Sequence, residues 1–106
     1  MNGGSFIMLN LIITMHDEQD TGEIHAHTQD NVLAGRITYV KNDAHHITIE
    51  HTYVKEDFNG QGVGGQLVKA AIEYCKTNSI KITPVCSYVV HYFEKHADEV
   101  ASVLYK

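Results

Sequence analysis

The sequence predicts a mixed α/β fold with the element order β-β-β-β-α-β-α, and three observations carry that prediction. Four short segments of strand-like alternation, parted by turn signals, fill the first half of the chain. A run of seven residues with four glycines, Asn59-Gly60-Gln61-Gly62-Val63-Gly64-Gly65, then opens a stretch of helical periodicity. A short apolar segment and a second helical pattern follow it. Short turns between the first four segments imply an antiparallel meander. The strand–helix–strand unit around the glycine run implies a right-handed crossover, with the fifth strand parallel to the fourth.

Leu9, Leu11 and Ile13 alternate as in a first strand. Gly22 to Thr28 is the second, with Ile24 and Ala26 on one face, and a short Asp17 to Thr21 connection joins the two. Asp30-Asn31 marks a turn, Val32 to Val40 reads as the third strand, and Lys41-Asn42-Asp43 is the next turn. Ala44 to Val54 is rich in β-branched residues and reads as the fourth strand. Leu67, Val68, Ala71, Ile72 and Cys75 recur at helical spacing, which predicts a helix from Gly62 to Asn78. Ile80 to Val85 reads as the fifth strand. From Ser87 onward the pattern is helical again, with Tyr88 and Tyr92 one turn apart.

Without repeats or a linker, the 106 residues read as a single domain, with Met1 to Ser5 as a flexible leader and Met8 as an alternative start. The N-terminus lacks a basic flank and a signal-like apolar core, although Phe6 to Thr14 is apolar. No stretch approaches the roughly 20 apolar residues of a membrane span. A net charge of −5 with only eight Lys and Arg argues against nucleic-acid binding and mildly favours cationic or amine substrates. Cys75 and Cys86 make neither a disulfide framework nor a metal knuckle, so a reduced, cytoplasmic setting is expected. His25 and His27 share a strand face, and His45 and His46 adjoin a turn. No third ligand has convincing spacing, so no metal is expected.

A glycine-rich turn at a helix start leaves backbone N–H groups unpaired at the positive end of the helix dipole and suits a phosphate or pyrophosphate. Three phosphate-binding patterns place glycines there. The nucleotide-triphosphate loop needs Lys and Ser or Thr after its second glycine, and Gln66-Leu67 stand there instead. The dinucleotide pattern is matched by Gly60, Gly62 and Gly65. It wants an acid about 20 residues on, yet Ile80 to Cys86 contains none. The third pattern fits better.

The segment from Val54 through Asn59-Gly60-Gln61-Gly62-Val63-Gly64-Gly65 to Leu67 resembles the acyl-CoA-binding motif of the GCN5-related N-acetyltransferase (GNAT) superfamily. Asn59 stands where that motif carries Arg or Gln. His51-Thr52-Tyr53-Val54, the glycine loop and Pro84-Val85-Cys86 together resemble a subfamily of small predicted acetyltransferases with His-Thr-x-Val and Pro-x-Cys motifs. Its members lack the helical pair between the first two strands. The resemblance implies a minimal GNAT fold in which the parallel strands flanking the loop splay apart, with acetyl-CoA or coenzyme A in the gap. Backbone groups of Thr52, Tyr53 and Val54 would pair with the pantetheine arm. Asn59 and Gly60 would lead into the cradle, N–H groups of Gln61, Gly62, Val63, Gly64 and Gly65 would hold the pyrophosphate, and Cys86 and Ser87 would flank the acyl end.

Cys86 falls at the end of the fifth strand and the start of a helix, whose dipole favours a thiolate. It could accept the acetyl group, contact the CoA sulfur, or be a small core residue. Cys75, on the apolar stripe of its helix, reads as core. Glu50 and His51 lie just before the loop, where GNAT enzymes place a general base, and alternation puts them on opposite faces. His51 shares the parity of Ile47 and Ile49 and so could also be a core histidine. Tyr92 stands near the superfamily's proton-donating tyrosine, although aligning Cys86 with the superfamily's usual Asn places Phe93 there. The leading expectation is an acetyl-CoA-dependent N-acetyltransferase acting on a small-molecule amine or a basic peptide or protein. The alternatives are a non-catalytic acyl-CoA-binding or sensing module, and a redox-sensing thiol at Cys86.

Overall fold

A computed structural model describes residues 9–106, so the leader over residues 1–5 and Met8 lie outside the described residues. The alternation read in the first half folds into β1 (Ile12–Asp17), β2 (Thr21–His27), β3 (Leu33–Asp43) and β4 (His46–Val54). A 3₁₀ turn (Glu56–Phe58) and the glycine run lead to α1 (Val63–Asn78). Then come β5 (Lys81–Pro84), α2 (Ser87–Lys95) and a short α3 (Ala97–Val100). The strands form one sheet in sequence order, antiparallel from β1 to β4 and parallel between β4 and β5. This is the predicted mixed α/β meander with its crossover.

Three local differences stand out. The first strand begins at Ile12, because Ile12 pairs with His27 and Asp17 with Gly22; Leu9 and Leu11 instead pack partly buried against the core. The turn expected at Lys41 to Asp43 falls later. A register shift between Lys41 and Asp43 lets β3 run on, and Asp43 accepts the His45 N–H at 2.7 Å. After α3 the chain returns beside β5, with Ile82 N–H donating to Val103 O (2.6 Å) and Tyr105 N–H to Ile82 O (2.9 Å). No periodicity announced that last pairing.

One face of the sheet is apolar. Ile24, Ile37, Tyr39, Ile47, Ile49 and Ile82 meet Val63, Leu67, Val68, Ala71, Ile72 and Cys75 of α1 and Val89 and Phe93 of α2 in a single buried cluster. Each fully buried large apolar side chain contributes about 1.5–3 kcal/mol. Two glycines shape this layer. A Cβ at Gly22 would lie 2.2 Å from the Tyr39 ring, and one at Gly35 would meet Tyr53 O at 2.5 Å and Val63 at 3.0 Å, under the first turn of α1. By register, the opposite face carries the polar rows Thr14–His25–Arg36–Tyr53 and His16–Glu23–Thr38–His51.

Candidate active site

β4 and β5 separate at Ile49. The last ladder pair is Ile49 with Pro84, after which the N–H groups of Val85 and Cys86 converge on Ile49 O at 3.1 and 3.2 Å. β4 continues alone to Val54, so a gap opens between its free edge and the start of α2. Two residues cause the split. Pro84 has no N–H to extend a ladder, and Glu50 is the extra residue of a β-bulge, since Ile49 pairs with Tyr39 and His51 with Thr38.

That bulge corrects the strand parity. Ile47 and Ile49 face the helices, and beyond the bulge Thr52 and Val54 take over that face, while His51 and Tyr53 turn to the helix-free side. His51 is therefore an exposed residue, not a core histidine, and simple alternation does not separate it from Glu50, which is also exposed at the branch point. The Lys55 N–H bonds Ala34 O, so the Tyr53 peptide groups point to β3 and those of Thr52 and Val54 point into the gap. The Tyr53 ring lies on the helix-free face, 5.2 Å from the Arg36 guanidinium carbon.

Cys86 occupies the closed end of the gap as the residue preceding α2. Its thiol donates to Thr52 Oγ1 at 3.5 Å, across the two strands. Partial burial works against the thiolate, but the Thr52 hydroxyl and the N–H groups of Val89, Tyr88 and Thr52 outweigh it, and the thiol is held below its ordinary value. Ser87 is exposed beside it.

At the open end stands the glycine loop. Gly60 and Gly62 have φ of +79° and +80°, which glycine adopts at least cost. Gly62 caps α1, and the first helical bond runs from Gln66 N–H to Gly62 O at 3.0 Å. The N–H groups of Gly62, Val63, Gly64 and Gly65 thus have no backbone partner among the described residues. Gln61 differs, because its N–H bonds Phe58 O (3.3 Å) and its side-chain amide bonds Asp57 O (3.2 Å). Asn59 is exposed, its N–H bonded to Glu56 O at 3.1 Å.

Gly64 is needed for packing, since a Cβ there would lie 2.8 Å from the Tyr88 ring and hydroxyl. Gly65 is not. The nearest atom to a Cβ at Gly65 is the Tyr88 hydroxyl at 3.9 Å, an ordinary contact. The bare Gly65 leaves open space beside four unpaired N–H groups, the fit a pyrophosphate requires. A cavity of about 300 Å³ joins the loop to the gap, lined by Val54, Phe58, Asn59, Gly60, Gly62, Val63, Gly64 and Tyr88. A larger cavity of about 420 Å³, around Cys75, Ser79 and Lys81 at the far end of α1, touches neither the loop nor Cys86.

Tyr92 faces elsewhere. It lies in a groove with Gly62, Gly65, Gln66, Lys69 and His96, its ring 4.1 Å from that of His96. Burial, then the charges of Glu99 and Tyr88, keep its phenol protonated to higher pH than usual. The histidine pairs are dispersed: the rings of His25 and His27 are 6.0 Å apart, His45 Nδ1 lies 3.2 Å from Ser79 O, and His46 stacks on Tyr105. No cluster of three metal-ligating side chains occurs among the described residues. Three contributors escaped sequence reasoning. A lone glycine within a strand pattern could have flagged Gly35. Tyr88 registered only as a helical neighbour of Tyr92. The bond between Cys86 and the Thr52 hydroxyl has no local signature.

Residues 23–103 match the profile described as GCN5-related N-acetyl-transferase. The solution structure of a GCN5-like protein from Staphylococcus aureus is similar at 32% identity over 87% of this chain and 87% of that one, with a TM-score of 0.64. The chain belongs to the GCN5-related N-acetyltransferase family, a family of acyl-transferring enzymes. Two more distant structures share the fold. A GNAT acetyltransferase from Elizabethkingia anophelis, with acetyl-CoA bound, is 22% identical over 83% of this chain and 74% of that one (TM-score 0.63). A Bacillus subtilis acetyltransferase in complex with CoA is 21% identical over 85% of this chain and 75% of that one (TM-score 0.63). Among the described residues no helix is long and apolar enough to cross a membrane.

Proposed function

We propose that this chain is an acetyl-CoA-dependent N-acetyltransferase whose acceptor is a small-molecule amine or a basic peptide or protein. The observation that carries the reading is the bare Gly65 beside the unpaired N–H groups of Gly62 to Gly65, opening onto a gap that ends at Cys86. Acetyl-CoA, which the Elizabethkingia anophelis structure holds, the Bacillus subtilis one holding CoA, would supply an acetyl group activated as a thioester. Gly62 to Gly65 hold its pyrophosphate, with Asn59 and Gly60 as the outer lip. Thr52 and Val54, whose peptide groups face the gap, pair with the pantetheine arm. Ser87 and Cys86 flank the acyl end.

Two routes lead to the acceptor. In the covalent one, the Cys86 thiolate attacks the thioester carbonyl carbon. A new S–C bond forms as the bond to the departing thiolate breaks, and the amine then takes the acetyl group from Cys86. In the direct one, Glu50 or His51 takes the ammonium proton so that the amine lone pair attacks the thioester carbonyl carbon. The C–N bond forms as the C–S bond breaks, and CoA leaves as its thiolate to be protonated. Both residues are exposed, Glu50 at the branch point and His51 just past it on the helix-free side. Tyr92 is set back in the α1–α2 groove, and Tyr88 lies nearer the gap.

Intact-mass measurement after mixing with acetyl-CoA separates the routes. An adduct of about 42 Da that disappears in Cys86→Ala supports the covalent route. Acetylation of an amine panel without an adduct supports the direct one. A second reading, a non-catalytic acyl-CoA-binding module, draws support from the second face of the sheet, where no helix among the described residues shapes an acceptor pocket. CoA-dependent thermal stabilisation with no transfer to any amine would favour it. Absence of stabilisation by either acetyl-CoA or CoA would sink both readings.

A further inference from the structure

The helix-free face of the sheet has a charge unlike that of the whole chain. Its two polar rows, Thr14–His25–Arg36–Tyr53 and His16–Glu23–Thr38–His51, hold the only arginine of the sequence and three of its eight histidines against a single carboxylate. That carboxylate is already engaged, since Glu23 Oε1 lies 2.7 Å from His25 Nε2. Arg36 is partly buried between its register partners His25 and Tyr53, with its guanidinium carbon 5.2 Å from the centre of the Tyr53 ring. Among the described residues it makes no ion pair. An arginine held over a ring keeps its planar N–H fork available to an oxyanion. Arg36 and His51 are also diagonal neighbours, because Arg36 pairs with Tyr53 and His51 with Thr38. In a regular ladder that places them about 7–8 Å apart on one face.

We propose that Arg36 is a specificity-determining residue for the acceptor, and that the acceptor is a small amine carrying an oxyanion, a carboxylate or a phosphate, a few bonds from its nitrogen. The inference rests on the transferase reading above and narrows its acceptor. An amine whose proton passes to His51 lies on the face from which His51 projects, and there its oxyanion meets the Arg36 fork. The fork offers two parallel N–H bonds to one carboxylate or phosphate. The net charge of −5 favours a cation at long range, but exposed charges more than a Debye length away are screened, so the local rows decide what docks. A basic peptide would bring further ammonium groups against Arg36, a like-charge contact that disfavours it.

Because Arg36 is the only arginine, its side-chain Nε–H gives one self-assigned signal in a proton–nitrogen correlation spectrum. The CoA-saturated, isotope-labelled chain is titrated with matched amines that differ only in the oxyanion: β-alanine against propylamine, and O-phosphoethanolamine against ethanolamine. The first of each pair should move the arginine signal and the second should not, and the pair with the larger response separates carboxylate from phosphate. With acetyl-CoA, kcat/KM should be about 10-fold or more higher for the anion-bearing member, the size of a hydrogen bond to a charged group. Arg36→Gln should bring that ratio near one, and Arg36→Lys, which keeps the charge but loses the fork, should leave it in between. Circular dichroism checks that the variants fold, and the wild-type spectrum needs neither of them. An arginine signal unmoved by both anion-bearing amines while CoA binds overturns the proposal and leaves the transferase reading standing. So does a ratio that survives in Arg36→Gln, or a higher kcat/KM for a lysine-rich peptide than for either anion-bearing amine. A moved signal with no amine acetylated upholds the oxyanion site and overturns the transferase reading. Failure of CoA to bind overturns both.

Discussion

Cys75 and Cys86 bracket what environment does to a single functional group. Burial in the α1 stripe pushes the Cys75 thiol up to about 12, while the Thr52 hydroxyl and the first-turn N–H groups of α2 hold Cys86 below the ordinary thiol value. The thiolate is the reactive form, so the rate of alkylation by iodoacetamide traces its population as pH rises. Cys86 should therefore react with a midpoint below that of an ordinary exposed thiol, and Cys86→Ala should leave no reactive thiol in the folded chain at that midpoint. Thr52→Val keeps the shape but removes the hydroxyl that can donate to the thiolate, so the midpoint should move up, whereas Thr52→Ser should stay low. A Thr52→Val midpoint equal to the wild-type value would show that the backbone alone sets the thiol. This measurement is independent of any transfer activity.

Among elements, the first turn of α1 carries opposing demands. Gly60 and Gly62 adopt left-handed φ, and Gly64 makes room for Tyr88, but Gly65 is helical and uncrowded. Helix propensity alone would favour alanine there by up to about 1 kcal/mol. Gly65→Ala should accordingly raise the melting temperature by a few degrees. The same Cβ would stand in the cradle, and affinity for CoA should fall about 10-fold or more if one backbone-to-phosphate hydrogen bond is lost. Thermal melts with and without CoA read both effects. A variant that is more stable and binds CoA unchanged would remove the argument that this glycine serves a ligand. Gly35 supports the same turn from beneath, because only a glycine lets Val63 and Tyr53 O approach so closely.

Across the whole molecule, the edge strand β1 is tied to β3 over the top of β2. Asp17 accepts from Tyr39 Oη at 2.8 Å and from Lys41 Nζ at 2.7 Å, and the Tyr39 ring lies across Gly22. The hydrogen bond from Lys41, then that from Tyr39, lower the Asp17 carboxyl below its ordinary value. A depressed folded-state value means the stabilisation is complete above the unfolded value near 3.9 and is lost as pH falls through the folded one. Asp17→Asn should therefore melt lower than wild type at pH 6, and the two curves should converge below about pH 4. A difference that persists unchanged into acid would assign Asp17 a packing role instead. Asp17 is nearly half exposed, so the effect is expected to be modest.

Local pattern determined much of this protein. Alternation and helical spacing located the four-strand meander, α1 and β5, and the glycine run identified the cradle, because side-chain period and glycine content are properties of consecutive residues. Boundaries drifted where pairing partners set them, as at Ile12 and Asp43. What only the tertiary structure decided are relations between distant segments. The bulge at Glu50 needs the register of β3 to be visible, and it moves His51 off the core side. The bond between Cys86 and Thr52 spans 34 positions, and the α1–α2 groove joins Gly65 to Tyr92. Even the number of cradle donors changed, since Gln61 gives its N–H to Phe58. A sequence shows which residues can do chemistry; the splay of two strands decides which of them meet.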